Sequence, residues 1–319
     1  MSPAKKAPVK TVPAKTVPAK KASIKKVSAA KVADSALDVR KTYKLYIGGA
    51  FPRSESGRSY PVLTTDRRFV ANAVLASRKD VRDAVKTARD AQGSWANRSA
   101  YNRGQILYRV AEIMQSRRQQ FVDELAIGGS RDAEGETDAA IDRWVWYAGW
   151  SDKFAQILGS ANPVDGPYFN FTTPEPAGVV ALVAPNDAPL LALVSRVAPA
   201  IVAGNTTVAL ASERWPLVAI ALAEALATSD VPGGVINILT GKAAELVPWM
   251  AGHADVNVVD LSGVSGELRA DGERRAADAV TRIVAASAAE RRWFDSRAQS
   301  PYIISGFCEY KTVWHPKGA

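Results

Sequence analysis

The sequence predicts an α/β fold built on a doubly wound, Rossmann-type parallel sheet, and three observations carry that prediction. Short apolar runs at Val179–Ala184, Thr207–Leu210, Val235–Leu239 and Val256–Leu261 have the length and composition of strands buried on both faces. Longer Ala/Leu/Val-rich segments lie between them and suit crossover helices. Gly or Asn marks the junctions at Gly204, Asn205, Gly233, Gly234 and Gly241. The whole is a βαβ series, the architecture of nucleotide-binding sheets.

At 319 residues the chain is long enough to bury a sizeable core and to hold two domains. Its 47% apolar and 23% charged content is that of an ordinary globular protein. No segment has 18 uninterrupted apolar residues, and stretches such as Val197–Ala203 are far short of a bilayer span, so no membrane partner is expected. A lone cysteine, Cys308, excludes an internal disulfide and suits a reducing cytoplasm. With His253 and His315 as the only histidines, no metal-ligand cluster suggests itself.

The net charge of +9 has one location. Residues 1–33 hold nine lysines and no acid, which accounts for the whole excess and leaves the body formally neutral. The stretch is a low-complexity Lys/Ala/Pro/Val segment with a TVPAK repeat at Thr11–Lys15 and Thr16–Lys20. Frequent proline blocks helix and like charges repel, so residues 1–41 are expected to be a disordered basic tail. The tail resembles the lysine-rich tails of histone-like proteins. It suits salt-dependent contact with nucleic acid or an acidic partner, and equally a solvated leader. Without interleaved aromatics it offers no base stacking.

Taken in order, the folded sequence begins near Thr42. YKLYIGGAF and the residues after it read as two short strands around a Gly48-Gly49 turn. Arg78 to Trp95 places Val81, Ala84, Val85, Ala88 and Ala91 on one helical face, with Ser77 and Asp80 suited to its start. A second helix is expected from Ala100 to Leu125. A third, from Thr137 to about Leu158, carries an aromatic stripe (Trp144, Trp146, Tyr147, Trp150) read as core or subunit contact. Gly166 suits a hairpin turn. After the βαβ series, Glu267 to Arg292 reads as one charged, alanine-rich helix, and a terminal strand follows around Lys311-Thr312-Val313-Trp314.

Several of these stretches resemble the N-terminal, coenzyme-binding part of the aldehyde dehydrogenase superfamily. The segment PAGVVALVAPNDAPLLALVSRVAPAIVAGNTTVALASERWP is similar to the family signature P-x-G-V-V…P-W-N-F-P…A-P-A-L-A-x-G-N-x-V-V-x-K-P-S-E…P. VPGGVINILTG and HADVNVVDLSG continue in register, so the likeness runs from about Tyr43 to Gly263. It implies four divisions: the tail at 1–41, a coenzyme-binding-type domain at 42–268, a linking helix at 269–298, and an oligomerisation strand at 299–319.

The resemblance also implies roles, position by position. The P-W-N-F-P asparagine that donates to the oxyanion in the family corresponds to Asp187, within Pro185-Asn186-Asp187-Ala188-Pro189. A carboxylate there repels an oxyanion, and Asn186 reaches the role only by a one-residue shift. The family's K-P-S-E ribose contacts become Leu210-Ala211-Ser212-Glu213, keeping the glutamate and losing the lysine. Gly241 survives, and F-T-G-S-T becomes Leu261-Ser262-Gly263-Val264-Ser265. Pro185, Glu213, Gly241, Gly263 and Ser265 are thus the remaining cofactor-contact positions, and NAD or NADP binding is implied to be weak or lost.

The family's L-E-L-G-G-K, G-Q-x-C and E-I-F-G-P segments do not follow Gly263, whereas SPYIISGFCEYKTVW resembles the family's terminal strand. The chain reads as though the catalytic domain were excised and the ends joined. Expected is therefore an inactive or accessory subunit assembling with itself or with a full-length aldehyde dehydrogenase. The alternatives are an active NAD(P)-dependent aldehyde oxidoreductase and a scaffold tethered through its basic tail.

Overall fold

The computed structural model describes residues 41–318, so nearly all of the expected basic tail lies outside the described residues. At the centre is a parallel sheet of β6 (Val179–Val183), β7 (Thr206–Leu210), β8 (Ile236–Leu239), β9 (Val258–Asp260) and β10 (Arg282–Val284). Its order is β10-β9-β6-β7-β8. The four apolar runs each yield a strand, because β6 to β9 are buried at every position and satisfy their backbone groups only in the ladder.

Helices cover both faces. On one lie α6 (Leu191–Val202) and α7 (Leu217–Ala227), backed by α2 (Ala100–Ser116), α3 (Arg118–Ile127) and α4 (Ala133–Trp150). On the other lie α1 (Arg78–Ala96), α8 (Ala243–Ala251) and α9 (Gly266–Asp278). The start of α1 follows its sequence: Ser77 accepts from the amides of Lys79 and Asp80, and the Asp80 carboxylate accepts from the Ser77 amide. Among the described residues, no helix is long and apolar enough to cross a membrane.

Several expectations about elements change. The second helix breaks at Arg117 into α2 and α3, which turns Phe121, Val122 and Leu125 into the core. The third starts earlier than expected because the Asp132 side chain caps it through the Gly135 amide. It ends at Trp150, before the short α5 (Phe154–Leu158). Within the aromatic stripe, Trp144 and Tyr147 are buried in the chain's own core. Trp146 and Trp150 are half-buried, their rings 5.6 Å apart. The helix expected over Glu267–Arg292 stops at Asp278: Val280 takes a left-handed φ of 56°, and the β-branched run after it becomes β10 on the sheet edge.

Gly48 and Gly49 do make a turn, in which Ile47 and Ala50 bond reciprocally. Yet Tyr46 bridges to Ile238 of β8, closing that edge of the sheet rather than forming a separate hairpin. A Cβ on Gly233 would lie 2.5 Å from the Gly48 carbonyl oxygen, so this approach requires glycine. A small sheet of β1 (Thr42–Tyr43), β2 (Ser59–Leu63) and β3 (Phe69–Val74) follows. The turn at Gly166 joins β4 (Ser160–Asn162) to β5 (Tyr168–Pro176), which pairs antiparallel with the terminal β11 (Cys308–Pro316).

Trp95 shows how α1 is fixed: it is fully buried and donates its indole N–H to the Ile201 carbonyl at 2.9 Å. Trp95→Ala should cost about 3–5 kcal/mol in urea denaturation. Tyr101→Ala, at a ring 65% exposed, should cost under about 0.5 kcal/mol.

Candidate functional site

In an open parallel sheet the binding crevice lies outside the carboxyl ends of the strands, where the winding reverses. Here the reversal is at β6, which pairs with β7 on one side and β9 on the other. The loops after β6, β7, β8 and β9 bring together every site residue expected from the sequence.

Pro185 is buried and leads β6 into the 186–189 loop. Asn186 turns its side-chain oxygen toward the loop after β7, accepting from Ser212 Oγ at 2.9 Å and the Arg214 amide at 3.2 Å. Its carboxamide therefore ties two loops together. Asp187 stands in the oxyanion-loop position as a carboxylate, and its Oδ2 accepts from the Trp293 indole N–H at 3.0 Å.

The Glu213 carboxylate accepts from Lys242 Nζ at 2.9 Å and from the Ala243 amide, at the start of α8, at 3.1 Å. Both its oxygens thus have partners within the chain. Leu210 is buried and carries no donor. Gly241 is packed closely: a Cβ there would lie 2.9 Å from Leu246. At Gly263 a Cβ would meet the carbonyl oxygens of Ala184 and Val183, each at 2.4 Å, so this glycine answers to backbone packing across the crevice. Val264 is buried, and Ser265 is exposed at the start of α9, with no capping bond from its side chain.

Several buried polar groups at the mouth escape the sequence reading. Glu136 accepts from the amides of Leu190 and Leu191 at the N-terminus of α6, and from Ser130 Oγ. It brings its own negative charge to a helix end that otherwise favours anions. Burial pushes its carboxyl above the ordinary value of 4.5, against those hydrogen bonds.

On the next turn of α6, Arg196 is buried with Asp260, Nε to Oδ2 at 2.5 Å, and reaches Glu290 at 3.2 Å. Burial opposes its charge, but the Asp260 and Glu290 carboxylates together outweigh burial and hold the guanidinium above its usual range. Asp260 also accepts from the Ser262 amide, and Ser262 Oγ accepts from the Ala286 amide at 2.7 Å.

Arg143 of α4 is buried without a carboxylate, and burial lowers its pKa. Its guanidinium donates to the carbonyls of Trp293 and Ala298, each at 2.9 Å, to Gln299 Oε1 at 3.0 Å and to Ser195 Oγ at 2.5 Å. Residues 285–299 thus form a strap across the strand ends, held from below by Arg143 and Arg196 and resting Trp293 on Asp187. A charged residue inside an otherwise apolar run is the signal that marks Arg196, in LLALVSRVAPA, and Asp260, in VNVVDL.

Cys308 is at the opposite end of the molecule's sheet system. It pairs with Pro176, just before β6 begins, whereas Asp187 follows the end of β6. The thiol is buried, rests against the Ile304 carbonyl, and is pushed up to about 12 chiefly by burial. A thiolate nucleophile is thereby disfavoured. Among the described residues, no group of three His, Cys, Asp or Glu side chains is placed to hold a metal ion.

A parallel sheet wound in both directions from β6, with its loops gathered at the strand ends, defines a dinucleotide-type α/β protein. Sequence comparison makes the assignment specific: the "Aldehyde dehydrogenase family" model matches residues 53–293. This chain belongs to the aldehyde dehydrogenase family. It is 32% identical over 228 residues to "Aldehyde dehydrogenase, cytosolic 1" of Elephantulus edwardii, covering 69% of this chain and 45% of that protein.

Among solved structures, the HpcC of Thermus thermophilus superposes with a TM-score of 0.73 and 28% identity, covering 77% of this chain and 48% of that one. PnpE in complex with nicotinamide adenine dinucleotide gives 0.72 and 27%, covering 76% and 50%. The chain spans about half the length of these relatives.

Two measurements check the buried charges. Arg196→Met leaves Asp260 without its partner and should destabilise the fold by about 3–5 kcal/mol in urea denaturation. The raised Glu136 carboxyl makes the native state hold a proton more tightly than the unfolded chain. Its contribution is complete below the ordinary glutamate value and is lost as pH rises through the raised native one. Glu136→Gln keeps an acceptor for the two amides, so its stability should fall less than wild type as pH rises from the ordinary glutamate value of 4.5 through the raised native one.

Proposed function

We propose that this chain is a non-catalytic member of the aldehyde dehydrogenase family that works as an accessory subunit, assembling with a full-length aldehyde dehydrogenase. One observation carries the reading: the strap 285–299 lies across the strand ends, with Trp293 bonded to the carboxylate of Asp187. Aldehyde oxidation by way of a thiohemiacetal needs a thiolate, a donor to the oxyanion and a base to free the acyl group. Here the oxyanion-loop position is anionic, and the one cysteine is buried beyond the far end of the sheet.

The residues at the mouth fit a nicotinamide dinucleotide poorly. Both Glu213 oxygens are engaged by Lys242 and Ala243, Leu210 has no donor, and Glu136 occupies the N-terminus of α6. NAD or NADP binding is accordingly weak or lost in this proposal. Support for assembly comes from β11, a long strand on the edge of its sheet with Tyr310 and Trp314 exposed, the kind of edge that invites pairing with another chain. A lone buried thiol suits a cytoplasmic setting.

The purified chain should produce no NADH from aldehydes, and Cys308→Ala should leave that result unchanged. Turnover abolished by Cys308→Ala would contradict the proposal. Calorimetric titration with NAD and NADP should give affinities weaker than micromolar; nanomolar binding of either would contradict the reading of Leu210 and Glu213.

A further inference from the structure

Charge on the folded part of the chain is matched. Residues 34–319 hold as many acids as basic residues, and many of the exposed ones pair locally. Lys79 of α1 meets Glu55 at 2.7 Å, and Arg118 of α3 meets Asp138 at 2.6 Å. Even α9, which carries three arginines, pairs each of them along the helix. Arg269 meets Glu273 at 2.8 Å, Arg274 meets Asp271 at 3.4 Å and Arg275 meets Asp271 at 2.8 Å. The helix therefore presents no uncompensated basic stripe of the kind that tracks a polyanion.

Residues 1–33, outside the described residues, are the opposite case: nine lysines stand there without an acid. They are also placed regularly. A Pro-x-Lys tripeptide recurs with its lysine at Lys5, Lys10, Lys15 and Lys20, a step of five residues each time, and Lys25 continues the step. Five residues reach at most about 18 Å, and over that length duplex DNA presents about ten phosphates. Each repeat therefore meets phosphate without a fixed register. The acids of a folded protein stand at particular positions and reward a matched charge pattern, which an even repeat does not supply.

We propose that residues 1–33 bind duplex nucleic acid through its phosphates, as a sequence-independent tether for a body that is itself neutral. Such binding is driven by release of the counterions condensed on the duplex as lysines neutralise its phosphates. No aromatic residue is interleaved among the lysines, so bases are not stacked and the contact does not discriminate between sequences. The inference does not rest on the accessory-subunit reading, since DNA affinity and aldehyde turnover are measured separately.

Fluorescence anisotropy of labelled duplexes of about 24 base pairs, titrated with the full chain, tests the assignment. Binding should be saturable at about 50 mM salt, and log affinity should fall against log salt with a slope of up to about −8 for nine lysines. AT-rich and GC-rich duplexes should bind within about twofold of each other. Lys5→Gln, Lys10→Gln, Lys15→Gln and Lys20→Gln made together should make the slope shallower by about 3 to 4. Arg274→Gln should leave the slope unchanged, because that arginine is already matched by an acid on α9. Four results would each overturn the proposal: no saturable binding, an unchanged slope in the fourfold lysine variant, a slope that falls as far in Arg274→Gln, or tighter binding to polyglutamate than to DNA. A preference beyond about tenfold between the two duplexes would do the same.

Discussion

A guanidinium buried between a helix and a sheet must find its counter-charge inside the protein, and Arg196 finds it in Asp260 and Glu290. The three residues come from α6, from the end of β9 and from the strap. The charge on one helix therefore fixes both the sheet's carboxyl end and the segment crossing it. Desolvation makes such a group unfavourable alone, so each partner is constrained by the others. Arg143 repeats the arrangement without an acid, meeting its need for acceptors with the carbonyls of Trp293 and Ala298. Together they give the strap its position and place Trp293 on Asp187.

From that placement the character of the mouth follows. Nucleotide crevices work because amides and small residues at strand ends are left available to a ligand. Here the comparable groups are turned inward: Glu136 takes the α6 amides, Ala243 and Lys242 take Glu213, and Gly263 packs on the carbonyls of β6. The architecture is retained while its hydrogen-bonding capacity serves the chain's own structure.

Much of the fold was legible because full burial leaves a plain mark. Strands β6 to β9 lie under helices on both faces, so their sequences are mostly apolar, with buried Thr206, Thr207, Asn237 and Asp260 as the exceptions. β10 was hidden because it has three residues, none fully buried, directly after a charged helix. The break at Arg117 has neither glycine nor proline to announce it, since tertiary packing of Phe121 and Leu125 decides it. At the mouth, the altered identities of positions 187, 210 and 264 could be read directly. Their consequences could not, because partners are set by the fold: Trp293 stands 106 positions from Asp187, and Lys242 stands 29 from Glu213.

Amide hydrogen exchange followed by mass spectrometry would test most directly whether buried charge fixes the strap. Peptides spanning 285–299 should be protected for hours in the intact chain, with the Ala286 amide held by Ser262, and should lose that protection in Arg143→Met. Exchange of the strap within seconds in the intact chain, at the rate of a solvated loop, would contradict the account.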